Sequence, residues 1–521
     1  MQLPRTNFPP QSFQLLRENT MNRSSLFLGM LVVGISNVFG FLPPVEPIKD
    51  WPMLGGTVER NQANPTEKNV PASWGVKKDA RKNIKWAAEL GTVSYGGPTI
   101  GDGKIFVGTN NERPRDPKLK GDLGVIMCFN EADGSFLWQI THDKLEEPEL
   151  NDWPKQGIGS YPAYDQKKIF YVSNRAELVC ASTELPSGKS QPDILWKIDM
   201  VKDLGVFPCF LAIGSPLVMG DLVFVVTANG VDPNQHKLPA PDAPSFIAVD
   251  KKTGKLAWKS NLPGKNIMEG QWSNPSGFSL NGKSQVIFPG GDGWVYAFEP
   301  VTGNLLWKFD CNPKGTEFKP GGRGNKSYIM ATPVIVEGKV YVGTGNNPDD
   351  GPGEGHFWCI DATKVPGNPE KDLSPRDEKF DPNAEINKNS GLVWHYGGKV
   401  IPKPEQGREI VFGRTLSTPA IFDGIIYIAE LDGYLHCLDA KTGKKFWDHD
   451  LRDGTWASPY YVDGKIFIGT DSGDIYVFSF GKTKADPTKI EMEQPIKGPL
   501  MATNGCLYVN TGTTLFAIQG K

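Results

Sequence analysis

Ala248-Val249-Asp250-Lys251-Lys252-Thr253-Gly254-Lys255-Leu256-Ala257-Trp258 is the stretch that decides the fold, because its spacing recurs. Ten residues separate the small residue from the tryptophan in Ala248 to Trp258, and the same interval holds for Ala297 to Trp307, Cys437 to Trp447 and Cys128 to Trp138. The Thr-Gly pairs at 253–254, 302–303 and 442–443 supply a tight turn in which glycine accepts a positive φ. Upstream of each unit a proline closes a polar or aromatic segment and opens a strand pattern, at Pro98, Pro162, Pro216, Pro275, Pro333, Pro419, Pro459 and Pro499. A four-stranded unit of about 40 residues cannot bury both of its faces alone, so such units stack radially. Eight units predict an all-β chain folded as an eight-bladed β-propeller, with each tryptophan stapling one blade to the next.

The last unit ends at Lys521 without an outer strand or a tryptophan. Ile84-Lys85-Trp86 has the sequence of that missing strand, so the strand around Trp86 is expected to close the ring and remove its exposed edges. Blade 7 has no Thr-Gly and no tryptophan after Asp474–Phe478, and in blade 2 an insertion displaces Trp196. The expected organisation is an export signal over residues 1–45, a leader over 46–83 and the propeller over 84–521.

The signal reading rests on Leu26-Phe-Leu-Gly-Met-Leu-Val-Val-Gly-Ile35, a short apolar core preceded by Arg23 and followed by small and polar residues. Met21 is the candidate true start. The core is too short and too interrupted for a lasting membrane span, and no cysteine follows it to carry a lipid. The expectation is an exported, periplasmic or extracellular protein, monomeric, without a stable membrane span after cleavage. A net charge of −3 with 22% charged residues offers no basic stripe for nucleic acid. Of seven cysteines, Cys128, Cys180, Cys359 and Cys437 stand where other units carry alanine, Cys506 falls in a strand, and Cys209 and Cys311 remain as loop-placed candidates for a disulfide. Buried free thiols are the expected state.

The repeat resembles the PQQ-type eight-bladed propellers, whose docking motif has the pattern Ala-x-Asp-x-x-Thr-Gly-x-x-x-Trp, over roughly residues 84–521. Asp50-Trp-Pro-Met-Leu-Gly-Gly-Thr-Val-Glu-Arg60-Asn is similar to a leader of exported PQQ-like propellers of planctomycete-type bacteria. The resemblance implies one of two functions, since the family holds quinoprotein alcohol dehydrogenases and also the non-enzymatic lipoprotein subunit of the outer-membrane assembly machine. A dehydrogenase would need pyrroloquinoline quinone (PQQ) and calcium: an aromatic platform, cations for the carboxylates, oxygen ligands and an Asp base.

The segments entering each innermost strand crowd one face of such a ring. They offer Trp272 and Trp456 as platform, Arg323 and Arg414 for carboxylates, Glu269 and Asn274 for metal and Asp453 as catalytic base. The competing reading has both tryptophans packing the channel wall and both arginines pairing with carbonyls or acids. The adjacent cysteine pair on which the dehydrogenases stack the quinone is absent, as is Cys-x-x-Cys-His, the haem attachment motif. The six histidines lack a metal-ligand spacing, and His436 reads as a surface or packing residue. Asn346–Glu354 is rich in oxygens yet lacks the EF-hand spacing and reads as a solvated turn. The first reading is a binding scaffold for a small ligand or a protein at the channel face; the alternative is a polyvinyl alcohol dehydrogenase-like quinoprotein acting on alcohols or sugars.

Overall fold

Each of the eight prolines is followed at once, or after Leu500 in the last case, by a short strand, and these are the innermost strands of eight antiparallel blades, with leader residues Ala63–Asn64 adding a parallel strand inside the one after Pro459. The computed structural model describes residues 50–145, 153–210, 213–235, 237–375, 387–399 and 408–520. The segment read as an export signal lies outside them. Blade 1 runs Thr99–Gly101, Lys104–Asn110, Gly124–Asn130 and Phe136–His142 from axis to rim. The other blades repeat the order, and the result is an eight-bladed propeller, nearly all β. Blade 8 is completed by Ile84–Glu89, which pairs antiparallel with Thr514–Ile518 and sets Trp86 opposite Ala517, so the ring closes through the strand around Trp86.

The docking motif explains itself in three dimensions. The small residue sits directly opposite its tryptophan across the outer pair of strands, as Ala248 to Trp258, Ala297 to Trp307, Cys128 to Trp138 and Cys437 to Trp447. Blade 2 (Cys180 to Trp196) and blade 5 (Cys359 to Trp394) keep the pairing despite their altered spacing. Asp250 Oδ1 accepts bonds from the N–H groups of Lys252 and Thr253 and from the Thr253 hydroxyl, which fixes the turn at Gly254. Gly254 has φ +72°, and a Cβ there would lie 2.7 Å from the indole of Trp196 in the preceding blade, so a side chain is excluded twice over. Trp196 Nε1–H then donates to Lys251 O at 3.2 Å, Trp258 to Pro300 O at 2.8 Å and Trp394 to Ala440 O at 3.0 Å, each bond crossing to the next blade. A docked indole of this kind contributes about 2–3 kcal/mol by burial.

Blade 7 breaks the pattern. Its outer strand Thr488–Glu491 brings no tryptophan, and Trp74 of the leader takes up that role: it stacks on Phe467, donates from Nε1 to Met492 Sδ at 3.0 Å, and joins the apolar cluster that holds Ile490 of blade 7 and Leu507 of blade 8.

The leader does more than cover an edge. Trp51 exchanges two backbone bonds with Ile100 of blade 1, and Pro52 O accepts from Tyr164 N–H of blade 2. Val58 O, Glu59 O and Gln62 O accept from Gly277 of blade 4, Ile335 of blade 5 and Tyr461 of blade 7. The Asn61 side chain brackets Ile421 of blade 6, and Asn64 Nδ2 donates to Ala502 O of blade 8 at 2.8 Å. Arg60, fully buried at φ +63°, donates to Pro275 O, Leu54 O and Pro216 O at 3.0, 3.1 and 2.9 Å, the second bond staying within the leader and the third reaching blade 3. A segment of this length that touches the innermost strands of all eight blades must lie across the central channel. The leader and the ring accordingly form one compact unit.

All seven cysteines are buried and free, and burial pushes their thiols upward, that of Cys180 to about 12. His436, read as a surface or packing residue, is fully buried and takes the packing role: Nε2 lies 2.7 Å from Glu430 Oε1 and Nδ1 3.1 Å from the Tyr396 hydroxyl. No helix among the described residues is long and apolar enough to cross a membrane.

Candidate functional site

Above the leader, on the face built by the segments entering the innermost strands, lies a cavity of about 210 Å³. Its lining is rich in aromatics, from Tyr95, Trp153, Tyr161, Phe210, Trp272 and Trp456, with Leu54 reaching in from the leader. The prolines set this up: each ends an irregular segment just before a strand begins, so side chains one to three residues upstream gather around the axis. Tyr95 and Trp456 stack at 6.1 Å with 15° between planes, and Trp153, Phe210 and Trp272 follow one another at 5.4 and 6.3 Å on centroids.

Polar groups of the lining are bonded largely to one another. Tyr161 N–H donates to Ser215 Oγ at 3.0 Å, Ser215 N–H to Asn274 Oδ1 at 2.6 Å, Asn274 Nδ2 to Thr332 Oγ1 at 2.8 Å and Thr418 N–H to Ser458 Oγ at 2.8 Å. Two charged residues line the cavity, Asp349 and Lys497. The Lys497 ammonium sits 3.7 Å from the Trp456 ring centroid and 3.3 Å from Asp471 Oδ1.

Of the residues singled out from sequence, Trp272, Trp456 and Asn274 line this cavity. Trp272 is 6% exposed, with its Nε1–H donating to Cys209 O at 2.9 Å and its ring against Tyr328. Glu269 is buried nearby, its Oε2 accepting from Tyr328 Oη at 2.7 Å and its Oε1 from Gln235 and Asn347, and burial raises its pKa. Arg414 is buried, with its guanidinium donating to the carbonyls of Gly322, Gly324 and Gly351. Arg323 is exposed and does not line the cavity, nor does Asp453. Burial acts to raise the Asp453 carboxyl, but bonds from Ser472 and Thr470 outweigh it and hold the group below the usual carboxylate range. Among the described residues no group of three or more His, Cys, Asp or Glu side chains is placed to hold a metal ion. The loop after Asn346 forms a short 3₁₀ turn, Pro348–Asp350, capped by Asn347 Oδ1. Sequence reasoning passed over Trp153, in a connection between blades with no repeat signature, and Lys497, although it stands two residues before Pro499.

A ring of eight four-stranded blades locked by docked tryptophans, with an aromatic cavity at one mouth of a filled channel, defines the class as a PQQ-repeat propeller. The chain belongs to the family described as outer membrane protein assembly factor BamB, whose model matches residues 122–364 and 385–486. It is 24% identical over 310 residues to a polyvinylalcohol dehydrogenase of Sphingopyxis, covering 54% of this chain and 44% of that one, so it spans less than half the length of that relative. It is 19% identical over 406 residues to the assembly factor BamB of Moranella endobia, covering 75% of this chain and 88% of that protein. Among solved structures, a europium-containing methanol dehydrogenase aligns with a TM-score of 0.53 at 15% identity over 90% of this chain and 91% of that one, a likeness of fold.

Proposed function

We propose that the protein is an exported, non-enzymatic scaffold that binds its ligand or partner at the aromatic cavity on the channel face. The observation that carries this is the disposition of cations. A quinone with several carboxylates needs basic side chains directed at it, whereas Arg414 is bonded to backbone carbonyls, Arg323 is exposed away from the cavity and Lys497 is paired with Asp471. The metal candidates are similarly engaged, Glu269 with Tyr328 and Asn274 with Ser215 and Thr332. Buried groups already satisfied gain little from a new partner.

The alternative, a quinoprotein dehydrogenase, draws support from the aromatic walls and from the dehydrogenases among its relatives. Calorimetric titration of the purified protein with PQQ, with and without calcium, followed by dye-linked assays on alcohols and sugars, separates the two. The scaffold reading expects no saturation at high micromolar PQQ and no turnover. Saturable, calcium-dependent binding with turnover overturns it.

A further inference from the structure

We infer that the aromatic cavity takes an organic cation, an alkylammonium or guanidinium group, with Asp349 as counter-charge. The inference deepens the scaffold reading and rests on it. Three features of the lining select this chemistry. First, its two charges do not cancel: Lys497 is neutralised by Asp471, while the Asp349 carboxylate has no ion pair among the described residues, and its backbone N–H is the group that bonds, to Asn347 Oδ1 at 3.2 Å. Second, the Asn274 amide is bonded through both its ends, and the hydroxyls of Ser215, Thr332 and Ser458 each accept one bond from the wall. Between these groups the walls are rings and aliphatic side chains, which suit an apolar shell better than the many hydroxyls of a sugar, and an anion would meet the Asp349 carboxylate. Third, the cavity already holds an ammonium on an aromatic face, that of Lys497 at 3.7 Å from Trp456.

Such contacts, electrostatic attraction to the ring quadrupole, are stronger where water is excluded. Tyr95, Trp153, Phe210 and Trp272 supply further ring surface. Asp349 adds a charge at the exposed edge. A cation with an apolar shell meets both demands at once. The group can arrive as a free small molecule or as the arginine or lysine side chain of a partner protein.

The test uses calorimetry on the full chain with choline, its uncharged isostere 3,3-dimethylbutan-1-ol, and N-acetyl-arginine amide. At least one cation is expected to saturate in the millimolar range or tighter, with the neutral alcohol about tenfold weaker than choline where choline binds. Asp349→Asn, on an exposed loop, is expected to weaken the bound cation about threefold to fivefold while leaving thermal unfolding unchanged. Binding of choline points to a free ligand, and binding of the arginine amide alone points to a protein side chain; both support the inference. It is overturned if the alcohol binds as well as choline, if Asp349→Asn changes nothing, or if neither cation saturates. Failure of both cations without quinone binding refutes the cation assignment alone, whereas quinone binding with turnover refutes the scaffold reading whatever the cations do.

Discussion

Arg60→Ala removes the one guanidinium that ties the leader to the hub of the ring. The side chain is fully buried and has no carboxylate partner, so burial pushes its pKa down to about 9, and it stays charged at neutral pH. That desolvation, about 5 kcal/mol for a fall from 12.5, is opposed by three charge-assisted bonds at about 1.5–3 kcal/mol each. The charge itself therefore comes close to breaking even. What the substitution leaves behind is decisive: the carbonyls of Pro275, Leu54 and Pro216 lose their donor inside the channel. Orphaned buried carbonyls cost about 1–3 kcal/mol each, relieved in part by water entering the vacated volume, for a net loss of about 3–5 kcal/mol. In a chain of this size that lowers Tm by about 3–5 °C.

The sharper readout is amide hydrogen exchange at Gly277, Ile335 and Tyr461, whose N–H groups donate to leader carbonyls. Release of the leader is expected to cut their protection by about a hundredfold, while Val249, deep in a blade, keeps its own. Arg60→Lys is the companion variant, since one ammonium cannot match the fork that reaches three acceptors, and it is expected to behave like alanine or worse. Stability within about 1 kcal/mol of the parent and unchanged exchange at these amides would falsify the view of the leader as the hub.

Three further outcomes are expected. Trp74→Ala empties the seam between blades 7 and 8 and lowers stability by about 3–5 kcal/mol in chemical denaturation; a loss no larger than that of a surface change would mean the blade 7 seam holds without it. Trp272→Ala is expected to cost a similar amount, measured the same way with and without PQQ, because the indole is packed between Phe210 and Tyr328 and bonded to Cys209 O. Asp292 is buried and bonded to Tyr296 Oη, and burial raises its pKa to about 6 from an unfolded value of 3.8. The folded state then holds more protons than the unfolded state between those values, so this group makes stability fall as pH rises from about 4 to about 6, by about 3 kcal/mol in all. Asp292→Asn is expected to flatten the urea midpoint across that window, and an unchanged slope would remove Asp292 as its source.

What could be read from the chain alone divides along a physical line. The blades were legible because their determinants are local: an Asp that closes a turn, a glycine at positive φ and a tryptophan ten residues from a small partner all act within one unit, and eight repetitions average out the defects of blades 2 and 7. Trp86 was legible for the same reason, as a missing copy of a known pattern. Trp74 and Arg60 were not. Their partners lie 418 and as many as 215 residues away, respectively, and Arg60 bonds only to carbonyls, which carry no sequence identity. The site divides in the same way. Trp272, Trp456 and Asn274 reach the cavity because they precede strand-opening prolines, a positional signal. Arg414 stands five residues before Pro419, further out than the residues that line the cavity, and turns instead into the loops of the preceding blade, because Gly322, Gly324 and Gly351 bring bare carbonyls within its reach. A repeat thus tells which positions face the axis, but whether a charge there meets a ligand or a neighbouring backbone is set by loops outside the repeat. That is why the unpaired charge of Asp349, sitting in such a loop, is the more informative residue for function than either arginine.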